Sequence, residues 1–196
     1  MIWLNIQPDG TRKWFVHDQC HRDNGPAITY PNSAQLWYKH GSIHRLDGPA
    51  VIYPTGHEEW HVNNELHRLD GPAITFFDGH TEWFMHGTRH RTDGPAIVYP
   101  DGHIEYWING NLHNADGPAI VYPDGYQEWH NNGRLHRLDG PAIVRPDGLH
   151  QYWVNDQRHR PDGPAVMWPD GTLEYWINDQ QISEYEMMFI INKENT

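Results

Sequence analysis

Short apolar runs alternate with turn residues along almost the whole chain, and they do so at a fixed interval of 23 residues. We number each unit from its histidine (His21, His44, His67, His90, His113, His136 and His159). Position 8 is then always Ile or Val, and position 10 is Tyr, Phe or Trp except at Arg145. Side chains two apart on a strand share a face, so these positions mark one face of a short strand. Position 17 is Trp or Tyr in every unit, and position 18, on the opposite face, is often aromatic too (Tyr38, Phe84, Trp107, Trp153, Trp176). Between the apolar runs lie two turn signals. Pro-Asp-Gly (Pro100-Asp101-Gly102) presets φ at Pro, bonds back through Asp and accepts positive φ at Gly. Asn-Gly (Asn109-Gly110, Asn132-Gly133) marks the second reversal.

Two strand-like runs and two turns within 23 residues leave no room for a helix, so each unit is expected to form a β-hairpin. Seven units follow without insertion or deletion, a register needed only when each unit stacks on the next. The predicted fold is all-β: an elongated single-sheet meander solenoid of about eight stacked β-hairpins. Residues 1–20 read as an N-terminal capping half-repeat, 21–181 as the seven repeats and 182–196 as a C-terminal cap, all in one domain. In the first segment Pro8-Asp9-Gly10 and Trp14 keep the register while Ile2-Trp3-Leu4 replaces Gly-Pro-Ala. In the last, Ser183 and Glu186 have capping-box spacing ahead of Met187–Ile191, which predicts a short helix over the open end of the sheet.

Composition fits this thin architecture. The apolar fraction of 37% with a mean hydropathy of -0.82 is lean for a thick core, and ten Trp and ten Tyr compensate. The net charge of -12 disfavours nucleic acid and anionic lipid as partners. The one cysteine, Cys20, excludes an internal disulfide framework and shares its column with Ile43, Leu66, Leu112 and Leu135, so it reads as a buried hydrophobe. No apolar run reaches membrane-spanning length and Met1–Asp9 is not a signal peptide, so a cytoplasmic protein is expected.

The segment His90–Leu112, with Tyr-Pro-Asp-Gly, an aromatic strand and then Asn-Gly two residues before the next His, resembles the MORN repeat (membrane occupation and recognition nexus). The resemblance runs from about Pro8 to Gln181. Two departures stand out: His-Arg replaces the family's His-Gly, and Glu105 and Glu174 stand where that family has glycine before the aromatic strand residue. In this it is similar to divergent MORN-type repeats of bacteriophage and large DNA virus proteins. The resemblance implies a non-enzymatic binding or scaffolding surface and, with a phage source, a host protein as target in the host cytoplasm. It names no partner.

Each repeated residue type then becomes a column with its own reading. The histidines invite a metal, but neighbouring hairpin pairs should lie about 10 Å apart, whereas metal ligands sit about 2 Å from the ion. Turn histidines that bond backbone or pack on the next unit are the simpler account, and no metal or cofactor is expected. Arg at position 2 either forms an anion-binding stripe or pairs with Asp at position 4 as a ladder stitching adjacent turns. Asp at positions 4 and 12 and Glu at position 16 make a solvated acidic surface, or a nucleic-acid mimic that captures a basic protein. The aromatics pack unit on unit, or stay wet as a stacking platform.

A protein-binding surface that is acidic and lined with aromatics is the favoured reading, with a protein partner, no membrane, and end units able to pair into a homodimer. Candidate contact residues are Tyr99, Trp107, Tyr122, Trp129, Trp83 and Phe84, with Arg68, Arg91 and Arg137. A sponge for a nucleotide-type small molecule and the nucleic-acid mimic are the alternatives. An enzyme is disfavoured, because one asymmetric active site does not arise from seven copies of a unit. The departures Arg145, Asn114 and Phe77 supply neither nucleophile nor base.

Overall fold

Each of the first six repeats contributes four strands of two residues, as in Val51–Ile52, Glu58–Glu59, His61–Val62 and Glu65–Leu66. The computed structural model describes residues 1–194, and side chains as far as residue 192, so the end of the expected 182–196 cap lies outside the described residues. The chain divides into two units, Met1–Pro100 and Asp101–Thr196, built on the same plan.

In the first unit Val51–Ile52 pairs antiparallel with Glu58–Glu59 of its own repeat and with Gln35–Leu36 of the preceding one. Glu58–Glu59 in turn pairs with Ile74–Thr75 of the following repeat. The second unit has the same meander, with Ile143–Val144 between Gln127–Glu128 and His150–Gln151. The all-β antiparallel meander expected from the alternation is therefore what forms. The remaining strands pair only within their own repeat, as His61–Val62 does with Glu65–Leu66.

The break between the two sets falls at position 17, for a reason visible in the backbone. Trp37 N–H donates to Ala50 O at 2.8 Å, and Trp37 O accepts from His44 N–H at 3.0 Å. Both partners belong to the next repeat, and the position-17 residues from Trp60 to Tyr152 likewise bond forward instead of along their own strands, whereas Tyr175 pairs with Ile182 in the last hairpin. The Ala that each forward bond reaches sits where no larger side chain fits: Ala27, Ala50, Ala73, Ala96, Ala119, Ala142 and Ala165 are all at 0% exposure. With Ile28, Val51, Ile74, Ile97 and Val166 these alanines form the thin core.

Both turn signals do what their residues dictate. In the Pro-Asp-Gly turns the Asp side chain accepts the N–H two residues on, as Asp101 does from His103 at 2.9 Å. The following reversal places both central residues at positive φ, Asn132 at 50° and Gly133 at 83°. Where an Asx replaces that Gly, its side chain is used. Asn64 Oδ1 accepts Ile43 N–H of the preceding repeat at 2.7 Å.

The ends depart from the repeat as expected. Ile2–Ile6 and Arg12–Val16 form a longer hairpin, with Trp3 stacked on Phe15 at 4.4 Å. At the other end Leu173–Ile177 pairs with Gln180–Ile182, and the helix α1 (Glu184–Glu194) follows. Its capping box is formed, with Ser183 N–H donating to Glu186 Oε2 at 2.7 Å and Glu186 N–H to Ser183 Oγ at 3.3 Å. Met187, in the first turn of this helix, is buried.

Candidate binding surfaces

The arginine column is built into the fold. Arg68 places its guanidinium carbon 4.0 Å from the centre of the Trp60 ring, while Nε donates to Asp70 Oδ1 at 2.9 Å and Nη1 to Pro72 O at 3.3 Å. On its other side lies Gly71, where an added Cβ would stand 2.7 Å from that carbon. The plane of the guanidinium is thus held between an indole and a bare backbone. Arg91 on Trp83 at 4.2 Å and Arg137 on Trp129 at 4.0 Å repeat the arrangement. Five of the candidate contact residues, Arg68, Arg91, Arg137, Trp83 and Trp129, are therefore engaged with one another or with neighbours of the same kind.

The Arg–Asp pairs lie within one turn, two residues apart, so they do not stitch adjacent turns. Hydrogen bonding from Arg holds the carboxyls of Asp47, Asp70, Asp93 and Asp139 below the ordinary carboxylate range. Where Asn114 replaces Arg, its amide still donates to Pro118 O at 2.9 Å.

Stitching between repeats falls to the Asx side chains at position 21, as Asp156 Oδ1 accepts Leu135 N–H of the preceding repeat at 2.8 Å, while the histidines tie the two ends of their own repeat. His67 Nδ1 accepts the backbone N–H of His86, at position 20 of the same repeat, at 3.1 Å, and their rings lie 4.4 Å apart. His44, His113, His136 and His159 accept from Asn63, Asn132, Asn155 and Asn178 in the same way. Cys20 is half-buried, and burial raises its thiol pKa.

A third set of columns carries the densest chemistry, and the sequence reading passed over part of it. Glu at position 16 receives hydrogen bonds from positions 14 and 18 on either side. Glu59 binds His57 Nε2 at 2.8 Å through one oxygen and His61 Nε2 at 2.7 Å through the other. Glu128 does the same with the Tyr126 hydroxyl and His130 Nε2. Glu82 takes Arg89 Nε at 2.9 Å and Glu105 takes Trp107 Nε1 at 2.7 Å. The His61 bond, ahead of the one from His57, lowers the Glu59 carboxyl to about 2. Hydrogen bonding by His130 lowers Glu128, while burial, followed by the bond to Glu128, raises Tyr126. These glutamates are not a solvated acidic surface.

The position-14 rings also interleave with the aromatics at position 10. In the first unit Tyr53, His57, Phe76, His80 and Tyr99 follow one another at 5.4, 4.9, 4.6 and 4.3 Å between ring centres. In the second, His103, Tyr122 and Tyr126 do so at 3.8 and 5.6 Å. Tyr99 and Tyr122 are thus members of a π ladder, and Phe84 packs beside Arg89 at 5.5 Å. The signal for this column was present in the spacing, since residues 57, 59 and 61 alternate onto one face.

Within each unit the fold leaves uncovered the tips of the turns at positions 2 to 5. Leu46, Leu69 and Leu138 are 73%, 81% and 80% exposed, each between an Arg and an Asp whose carboxylate faces water. Grooves run between successive turns. One of about 570 Å³ separates Leu46 from Leu69 and is floored by Trp60 and Val62. Another of about 500 Å³ separates Leu138 from Pro161 and is floored by Tyr152 and Val154. Among the described residues no helix is long and apolar enough to cross a membrane.

No family model and no curated protein matches this chain. Among solved structures, the G-box domain of the microcephaly protein CPAP is 23% identical, covering 94% of this chain and 99% of its own, with a TM-score of 0.19. A mutant of the TCP10 domain of Danio rerio CPAP is 22% identical over 87% of this chain and 96% of its own, with a TM-score of 0.22. Superpositions this poor carry no inference about this chain.

Proposed function

We propose that this chain is a non-enzymatic binding protein that docks another protein at these turn tips. The observation that supports it is the repeated exposure of leucine beside a solvent-facing carboxylate tied to arginine through one oxygen, at Leu46–Asp47, Leu69–Asp70 and Leu138–Asp139. A leucine that is structurally idle has no reason to recur at the tip of a turn, and repeated apolar tips over grooves fit an interaction surface. The flanking Asp carboxylates and the net charge of -12 select a partner that presents basic and apolar side chains together. The proposed contact residues are the turn leucines with Val62 and Val154 of the groove floors, since the position-17 rings Trp60 and Tyr152 are covered by arginine.

The chemistry of the carboxylates favours this reading over mimicry of nucleic acid. The Glu column is spent on internal hydrogen bonds and the position-12 Asp side chains cap their own turns. The position-4 Asp column faces water but is paired with arginine, and it is far sparser than a phosphate backbone at about one charge per 1.7 Å. The regular hairpin repeat also supports a MORN-like scaffold.

Selection of a random peptide display library on the immobilised chain tests the proposal. Enrichment of peptides that combine Lys or Arg with apolar residues, lost on the Leu46→Asp/Leu69→Asp/Leu138→Asp variant, is the expected result. Enrichment unaffected by that variant would place the contact elsewhere.

A further inference from the structure

The ring ladder of the second unit stops at Tyr126, and the place where the next ring belongs is open. In the first unit each position-14 ring is followed by the position-10 ring of the next repeat, His57 by Phe76 at 4.9 Å and His80 by Tyr99 at 4.3 Å. After Tyr126 the residue in that column is Arg145. Its turn is unchanged: Arg145 N–H donates to Leu149 O at 2.9 Å and Gly148 N–H to Arg145 O at 3.1 Å. Only the side chain differs. The guanidinium pairs with Asp147 at 2.8 Å and remains about half-exposed. A cleft of about 560 Å³ lies there, lined by Ile120, Tyr122, Tyr126, Glu128, Arg145 and Pro146. That is within the range of small-molecule sites.

We infer that this gap is a binding slot for a planar aromatic small molecule that carries no negative charge. The ring would take the place of the missing ladder member, stacked on Tyr126 with the Arg145 side chain and Pro146 as the opposite wall. Ring pairs along the ladder lie between 3.8 and 5.6 Å apart, a spacing that one further ring continues. The charge preference follows from the lining. Asp124, Glu128 and Asp147 surround one guanidinium that Asp147 already neutralises. Anionic rings are therefore repelled, while neutral or cationic ones are accepted. The Tyr126 hydroxyl donates to Glu128, which fixes the orientation of the stacking face. This slot is independent of the turn tips.

Two probes with the same ring and opposite charge test it: tryptamine and indole-3-acetate, titrated into the full chain while the signals of Tyr122, Tyr126 and Arg145 are followed by NMR. Tryptamine is expected to saturate those signals, with indole-3-acetate weaker by roughly tenfold or more, about 1.4 kcal/mol. Arg145→Tyr restores the residue type of Tyr53, Tyr99 and Tyr122 at that position, so it should fold and fill the slot, abolishing the response. Tyr126→Leu, which takes the side chain Leu149 has at the equivalent position, removes the stacking face and should abolish it as well. No saturable tryptamine response, an equal response to the anion, or an unchanged response in either variant would overturn the assignment.

Discussion

His61 Nε2 lies 2.7 Å from Glu59 Oε2, and His57 Nε2 reaches the other oxygen of that carboxylate at 2.8 Å. One carboxylate thereby ties together two side chains, each two residues away on the same face. Both imidazoles present N–H to it, which only an ionised acid can satisfy at both oxygens.

Acid stability is the first consequence. Glu59 falls from its ordinary value of 4.5 to about 2 in the folded chain. A depressed carboxylate stabilises the fold fully above its unfolded value and loses that contribution as pH falls through the folded one. The loss should therefore spread between about 4.5 and about 2. Glu59→Gln offers one acceptor and one misplaced donor, so it should cost about 1 kcal/mol at neutral pH. It should also flatten the acid limb of an unfolding curve followed by circular dichroism.

The guanidinium sandwich explains Gly71 without strain, because φ there is not in the left-handed region and the obstacle is Arg68 itself at 2.7 Å. Gly71→Ala should cost about 1–2 kcal/mol through overpacking. At Gly117 the nearest atom is the Asn114 amide nitrogen at 3.5 Å, so Gly117→Ala should change stability by less than about 0.5 kcal/mol. Arg68→Ala combined with Gly71→Ala should be less damaging than the sum of the two. Thermal denaturation of the four variants in a double-mutant cycle checks this.

The bond from His86 N–H to His67 Nδ1 joins the two ends of one repeat at 3.1 Å. His67→Ala should raise the hydrogen-exchange rate of the His86 amide and lower stability by about 1 kcal/mol. Exchange at amides inside other repeats, such as Gly125 bonded to Tyr122 O, should be unaffected.

The strands, both turns and the caps were legible because they follow from local patterns: alternation, Pro-Asp-Gly, Asn-Gly and the Ser183–Glu186 spacing. The columns were legible as columns, but their partners were not. Trp60 and Arg68 meet only because the chain breaks pairing at position 17 and turns forward, and no local signal announces that break. Gly71 stood only as one member of the repeated Gly-Pro-Ala, although its role is to leave room for Arg68. Glu59 was read as solvated acid because Glu is usually exposed, while the His57 and His61 donors that draw it inward were two residues away on either side. The leucines at the turn tips passed unnoticed because position 3 is variable, holding Asp23, Thr92, Ala115 and Pro161 in other repeats.

Docking at the turn tips is tested most directly by the affinity of one display-selected basic-apolar peptide for the wild-type chain and for Leu46→Asp/Leu69→Asp, read by fluorescence anisotropy. Both leucines are exposed, so the variant should unfold within about 0.5 kcal/mol of wild type. Arg145→Tyr serves as a control outside the turn tips and should bind as wild type does. The expected result is a loss of affinity of about tenfold or more in the double variant alone. Equal affinity in a folded double variant would contradict docking along these turns.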